Sequence, residues 1–143
     1  MKKRIALALF ATLGLSCAAV QAVDLTGEWK VVPGKSQGVI SGKPAHPTGF
    51  SAADRHVTVD EPGASPIFVL KISSQKANGF HGQWCSPKKC EKAVGVIRKD
   101  GSILMVDEDS TYLGTMYENE MELCVTQAGK PLRIAICSMM AKQ

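Results

Sequence analysis

Four cysteines in the second half of the chain offer the clearest chemistry in the sequence. They are Cys85, Cys90, Cys124 and Cys137. In a small exported domain, an even number of cysteines predicts disulfides, which form in oxidising compartments. A structural zinc site usually has paired C-x2-C spacings, whereas the gaps here are four and twelve residues. We therefore predict two structural disulfides rather than a metal centre.

The predicted strands favour disulfides between neighbouring cysteines. Cys124 and Cys137 both fall on the polar face of their strands, and a short connection would place them opposite each other. Cys85 and Cys90 enclose a four-residue loop, and a bond between them would close its neck. Of the three possible connectivities, we favour Cys85–Cys90 together with Cys124–Cys137.

No other residues form a catalytic or metal-binding constellation. The histidines His46, His56 and His81 lie far apart, and the sequence has no nucleophile-elbow or zinc-helix motif. The methionines of the predicted strands lie among apolar residues, where methionine usually fills gaps in a core. The acidic run at 107–109 lacks the spacing of a calcium loop. We therefore expect no enzyme activity, no cofactor and no metal.

The first 22 residues have the organisation of a secretory signal peptide. The basic start Met1–Arg4 leads into an apolar run from Ile5 to Leu15, and small residues follow up to Ala22. The run is too short to span a bilayer. We predict cleavage after Ala22 and a periplasmic or secreted product, which is a single domain of residues 23–143.

Export also accounts for most of the positive charge of the chain. Three of the 17 Lys and Arg residues lie within 1–22, so that 14 remain against 13 Asp and Glu. A nearly neutral domain lacks the unbalanced positive charge with which proteins bind nucleic acids and anionic membranes. We expect no nucleic-acid partner and no membrane insertion, and the oligomeric state stays open.

Beyond residue 22, apolar and polar residues alternate between turn signals, which is typical of an all-β barrel or sandwich. A Gly- and Pro-rich stretch at 33–51 is predicted to be a long loop with at most a short strand near Val39 and Ile40. We predict a small antiparallel meander β-barrel of about eight strands, since closure removes exposed strand edges. The predicted strands span residues 26–32, 55–60, 67–73, 80–85, 94–98, 103–106, 111–117, 121–126 and 132–139.

One pattern, a bulky apolar residue, a glycine and a second bulky residue at alternate positions, occurs three times, in Leu25–Trp29, Phe80–Trp84 and Tyr112–Met116. In a strand these positions share a face, and the glycine leaves room for a facing side chain or allows a sharp bend. Either these residues are layers of a filled core, or they line an internal ligand cavity, because an eight-stranded barrel can be filled or hollow. The candidate ligand-binding residues are Trp29, Trp84, Tyr112 and Met116.

The segment Leu25-Thr26-Gly27-Glu28-Trp29 resembles the start of calycin-type secreted barrels, which include lipocalins, avidins and bacterial metalloprotease inhibitors. The resemblance covers these few residues. It implies that Gly27 and Trp29 lie on the first strand and close one end of the barrel. A shared fold does not by itself identify a function.

We expect a non-enzymatic binding protein that uses its barrel mouth or loops to hold a small apolar ligand or a protein partner. The alternative is an inhibitor of a secreted or periplasmic hydrolase that presents the proline-stiffened loop 42–50, with Lys43, His46 and Phe50 as contact residues. A third class is a structural or accessory envelope protein. A basic loop tip around Lys89 and the acidic turn at 107–109 would steer a protein partner.

Overall fold

The computed structural model describes residues 23–42, 55–57, 68–129 and 132–143, with the backbone alone at positions 55 and 57. The predictions for the signal peptide and for loop residues 43–50 lie outside this part. The described part contains strands and no helix, and therefore no helix long and apolar enough to cross a membrane. The strands are β1 (Gly27–Gly42), β2 (Arg55–Val57), β3 (Val69–Lys76), β4 (Gly79–Cys85), β5 (Cys90–Ile97), β6 (Ile103–Val106), β7 (Thr111–Tyr117), β8 (Glu120–Gln127) and β9 (Leu132–Lys142).

Eight strands form a closed antiparallel barrel. From β3 to β9 each strand pairs with the next along the chain, and β1 pairs with both β3 and β9 to close the sheet. The short strand β2 adds to the second half of β1. The predicted all-β meander barrel is confirmed, and its closure gives each barrel strand a partner on both sides.

Strand β1 is longer than the sequence predicted. It continues through Pro33 to Gly42, where we expected a loop from residue 33 onward, and it begins at Gly27 rather than Thr26. Its register against β9 shifts between Val31 and Ser36. Pro33 lies in this irregular stretch, where its missing N–H removes no regular ladder bond. Glycine and proline therefore indicated a loop where the chain forms a bulged strand.

One cluster of buried side chains fills much of the barrel and draws on every barrel strand. It includes Met105 and Met121, as their strand environment predicted. A smaller cluster of Ile40, Leu132 and Ile136 lies where β9 begins, and Val125 packs against both. The buried members of the main cluster are Leu25, Trp29, Leu70, Ile72, Phe80, Ala93, Ile97, Ile103, Met105, Tyr112, Met121, Leu123 and Met140.

Two glycines allow the interior to close. Gly95 is the register partner of Phe80, and a Cβ at this position would clash with the Phe80 ring. Gly82, in the second copy of the repeated pattern, approaches the backbone of β3 so closely that a Cβ would clash with the Lys71 carbonyl. Gly95, which lies outside the repeated pattern, makes room for a side chain. Gly82 permits close strand approach, a role that differs from the side-chain space or sharp bend that the pattern predicted.

The residues before β1 lie across one end of the barrel, here called the capped end. The backbone N–H of Leu25 donates to Gln75 Oε1 at 2.9 Å, and Trp29 Nε1 donates to the Leu25 carbonyl at 2.8 Å. The φ of 114° at Gly27 turns the chain away from the strand direction. Lys142 Nζ lies 5.6 Å from the centroid of the Trp29 ring. Trp29 is therefore buried at this end of the barrel, and Leu25, which precedes the strand, belongs to the same buried cluster.

Both predicted disulfides are present. Cys85–Cys90 and Cys124–Cys137 are bonded, and each joins register partners on neighbouring strands. Disulfides of this kind are consistent with a periplasmic or extracellular location.

Candidate functional site

The end of the barrel opposite the capped end is the candidate site, and we call it the mouth. It carries the turns at 86–89 and 107–110 and the beginning of β9. The antiparallel order brings the last residues of β4 and the first residues of β5 and β7 to this end. Aromatic rings and carboxylates meet here.

Trp84 contacts two other aromatic side chains, and the three form the aromatic cluster. The Trp84 and Phe68 rings are stacked, with centroids 5.1 Å apart and planes inclined by 16°. The Tyr112 ring lies 5.2 Å from that of Trp84, at 56°. Trp84 and Phe68 are partly exposed, whereas Tyr112 is buried. The cluster therefore extends from the interior to the surface of the mouth.

Three side chains beside these rings form the carboxylate cluster. Oxygen atoms of Glu91, Asp107 and Asp109 lie within 4.8 Å of one another. Glu91 is the register partner of Trp84. Asp107 accepts a hydrogen bond of 2.5 Å from the Tyr112 hydroxyl and two more from backbone N–H groups of its own turn. The carboxylates are therefore fixed against the aromatic cluster.

Lys89 brings a cation to the edge of the carboxylate cluster. Its Nζ lies 2.7 Å from Glu91 and 3.1 Å from Glu108, and these hydrogen bonds, chiefly the one to Glu91, raise the pKa of the Lys89 ammonium. The basic loop tip and the acidic turn, which we expected to steer a partner, thus lie together and partly neutralise each other. Among these residues four carboxylates face one ammonium group, and the balance is negative.

Burial raises the pKa of the Tyr112 phenol well above its ordinary value, and the hydrogen bond to Asp107 adds to the shift. The ionised phenol would lose solvation and would face a neighbouring carboxylate. The hydroxyl therefore stays protonated at neutral pH and acts as a donor that holds Asp107 in place.

The sequence-predicted ligand residues divide between the two ends. Trp84 and Tyr112 meet at the mouth. Trp29 lies at the capped end, and Met116, the register partner of Met121, lies near the turn at 118–119 on that same end. Trp29 and Tyr112 belong to the main interior cluster, and Trp84 and Met116 pack against it. The four residues therefore do not surround one site.

Sequence reasoning missed Phe68 and Glu91, and it treated Asp107 only as part of the acidic turn at 107–109. A signal for Glu91 was present, because paired residues in a hairpin are symmetric about its turn. Counting outward from the turn at 86–89 places Cys85 opposite Cys90 and then Trp84 opposite Glu91. A second count links Glu91 to the acidic turn. The β5–β6 hairpin pairs Val94 with Val106 and, continued outward, places Ala93 opposite Asp107 and Glu91 opposite Asp109.

Lys43, His46 and Phe50 of the proposed inhibitory loop lie outside the described residues, and their role stays a prediction. His56 and His81 are exposed on β2 and β4.

Two groups among the described residues have donor atoms for a metal ion. The first is the carboxylate cluster, whose oxygens already accept hydrogen bonds from protein donors. The second is Glu122, Cys124 and Cys137, whose cysteines are joined in a disulfide and offer no thiolate. Neither group supports the assignment of a metal.

Comparisons with protein-family models, with curated proteins and with solved structures gave no significant match. The closed eight-stranded antiparallel barrel is compatible with a calycin-like fold, and no specific family is assigned on that basis.

Proposed function

We propose that this chain is an exported, non-enzymatic binding protein that holds a small, partly apolar and positively charged ligand at its mouth. The observation that carries the proposal is the position of Trp84. Its partly exposed ring contacts Phe68 and Tyr112, and the carboxylate of Glu91 is its register partner. Small-ligand sites typically combine aromatic walls with a few placed polar groups.

The carboxylates beside Trp84 favour a cation over the purely apolar ligand suggested by the sequence. Aromatic faces attract cations, and nearby carboxylates add to this attraction. The ammonium of Lys89, 2.7 Å from Glu91, is an example of the chemistry that fits here. A ligand amine would sit beside it or displace it, while the apolar part of the ligand would lie on Trp84.

The other parts of the proposal have separate support. Export is supported by the signal-like residues 1–22 and by the two disulfides. A binding role is supported by the aromatic and carboxylate side chains that meet at the mouth.

Fluorescence titration of the mature protein with benzylammonium and with benzyl alcohol tests the proposal. The two probes share a ring and differ in charge. We expect benzylammonium to change the tryptophan emission and benzyl alcohol to bind about fivefold more weakly. Glu91→Gln should weaken binding of the cation alone.

Variants of the two tryptophans supply the control. Trp84→Phe should abolish the change in emission, whereas Trp29→Phe, at the capped end, should preserve it. A flat titration with both probes contradicts the proposal, and so does equal affinity for the charged and the neutral probe.

A further inference from the structure

The outer surface of three neighbouring strands carries a patch of exposed apolar side chains, which we call the outer patch. They project from β5, β6 and β7, away from the barrel interior, and are 38–51% exposed. A contiguous apolar patch on a protein surface commonly marks an interaction site. The members are Val94, Val96, Leu104, Val106 and Leu113.

Strand β6 at the centre of this patch is apolar on both faces. Ile103 and Met105 are buried in the interior, while Leu104 and Val106 are exposed on the other side. An antiparallel strand with one face in water normally alternates apolar and polar residues, and strands that are apolar on both faces are typical of sheets covered on both sides. The sequence of β6 thus favours a cover over the outer patch.

The register across the patch is symmetric about the line between β6 and β7. Leu104 and Leu113 are partners across this line. One strand further out, Val96 pairs with Leu104 on one side and Cys124 pairs with Leu113 on the other. Consider two copies packed with their outer patches face to face, related by a two-fold axis that lies between them and runs parallel to this line. The rotation would place Leu104 of one copy on Leu113 of the other, and Val96 on the Cys124–Cys137 disulfide. The same axis would place Val106 on Thr111 and Val94 on Thr126. The apolar part of this isologous contact is therefore centred on Leu104, Leu113 and Val96.

Charges at the capped end follow the same symmetry. The β5–β6 turn carries Lys99, and the β7–β8 turn carries Glu118, on opposite sides of the line and one strand spacing from it. Arg98 and Asp100 beside Lys99 pair with each other at 3.5 Å. The two-fold rotation brings Lys99 of each copy against Glu118 of the other, which favours association and fixes its orientation.

We infer that the outer patch is the interface of a homodimer whose two-fold axis runs between β6 and β7. Four strands spaced about 4.8 Å apart and four residues of about 3.4 Å rise cover roughly 250 Å², well below the roughly 800 Å² per partner of a stable complex. At the mouth end of the axis, Glu108 of the two copies approach each other, and Lys89 offsets this charge within each chain. The dimer is therefore reversible and forms at high protein concentration.

Sedimentation velocity of the mature, disulfide-bonded protein between about 10 μM and about 1 mM measures this equilibrium. Leu104→Glu places like charges beside the axis and is expected to weaken the dimer at least about tenfold. Val39→Glu is the matched control, because Val39 is 44% exposed on β1 and lies outside the patch. Lys99→Glu and Glu118→Lys should each weaken association, and the double variant should restore it.

Several outcomes would overturn the inference. One is a chain that stays monomeric at every concentration, including one that binds phospholipid vesicles or another protein through the patch instead. Another is a dimer that persists unchanged in Leu104→Glu protein whose melting curve matches that of the parent. If the double charge variant associates no better than either single variant, the proposed orientation of the dimer, with Lys99 against Glu118, is wrong.

Discussion

Trp84 and Tyr112 contact each other across the interior of the barrel, with ring centroids 5.2 Å apart, although β5 and β6 separate their strands. The interior-facing positions of β5 between them carry the small residues Ala93 and Gly95, and the Phe80 ring occupies the space over Gly95. Aromatic side chains therefore fill the barrel at this level. A ligand at the mouth would lie on these rings rather than beneath them.

Two substitutions of Tyr112 separate the contribution of its ring to the free energy of unfolding from that of its hydroxyl. Tyr112→Phe keeps the ring and leaves Asp107 without its donor, and should lower the free energy of unfolding by about 1–3 kcal/mol. Tyr112→Ala also opens a cavity in the main cluster and should cost about 3–5 kcal/mol. Urea denaturation followed by circular dichroism measures both values. Equal losses would indicate that the ring contributes nothing beyond its hydroxyl.

Alkaline pH should destabilise the protein through Tyr112. Because the pKa of this phenol is raised in the folded state, the native protein keeps a proton that the unfolded chain loses above about pH 10. The stabilisation is complete below that pH and falls above it by about 1.4 kcal/mol per pH unit. Unfolding measured between about pH 9 and pH 11 should show this slope in the parent and in Tyr117→Phe. The slope should be smaller in Tyr112→Phe, where Lys89, whose pKa is also raised in the folded state, leaves a slope of the same sign. A slope that is unchanged in Tyr112→Phe assigns the effect to other groups.

Local pairing could be predicted from the sequence, and long-range proximity could not. The bounds of β6 and β7 agree with the prediction, because Asp100-Gly101 and the alternation of apolar residues mark them. Cys85–Cys90 and Cys124–Cys137 follow from strand alternation and short hairpins. The bulge that carries Pro33 through β1 has no comparable local signal. The approach of Glu91 to the acidic turn follows from the register of the β5–β6 hairpin. The contact of Trp84 with Tyr112, whose strands are separated by β5 and β6, depends on the curvature of the barrel, which periodicity does not specify.

Adding a methyl group at Gly95 should lower the stability of the protein, because Phe80 packs closely against this position. Gly95→Ala would push a Cβ into the Phe80 ring and is expected to destabilise the protein by about 1–3 kcal/mol. Phe80→Leu in the same chain should recover part of this loss, with a coupling of about 0.5–3 kcal/mol in a double-mutant cycle.

Gly79→Ala is the matched control for this cycle. A Cβ at Gly79 would contact only the Lys76 carbonyl oxygen, at 3.8 Å. This substitution should change stability by less than about 1 kcal/mol. Additive effects of Gly95→Ala and Phe80→Leu would show that the two side chains do not compete for the same space.

The two disulfides should contribute unequally, because they close loops of different length. Cys124 and Cys137 are 13 residues apart, and Cys85 and Cys90 are 5 apart. On the chain-entropy account, the double serine variant of the longer loop should lose about 3 kcal/mol and that of the shorter loop about 2 kcal/mol. Thermal or urea unfolding under non-reducing conditions measures the difference, and peptide mapping of the parent should find the same two linked pairs.

A larger loss for Cys85→Ser with Cys90→Ser would mean that the bond acts chiefly in the folded state, by holding the turn that carries Lys89 against Glu91 and Glu108. In that case Lys89→Met, which breaks the ion pairs and keeps the disulfide, should reproduce part of the loss.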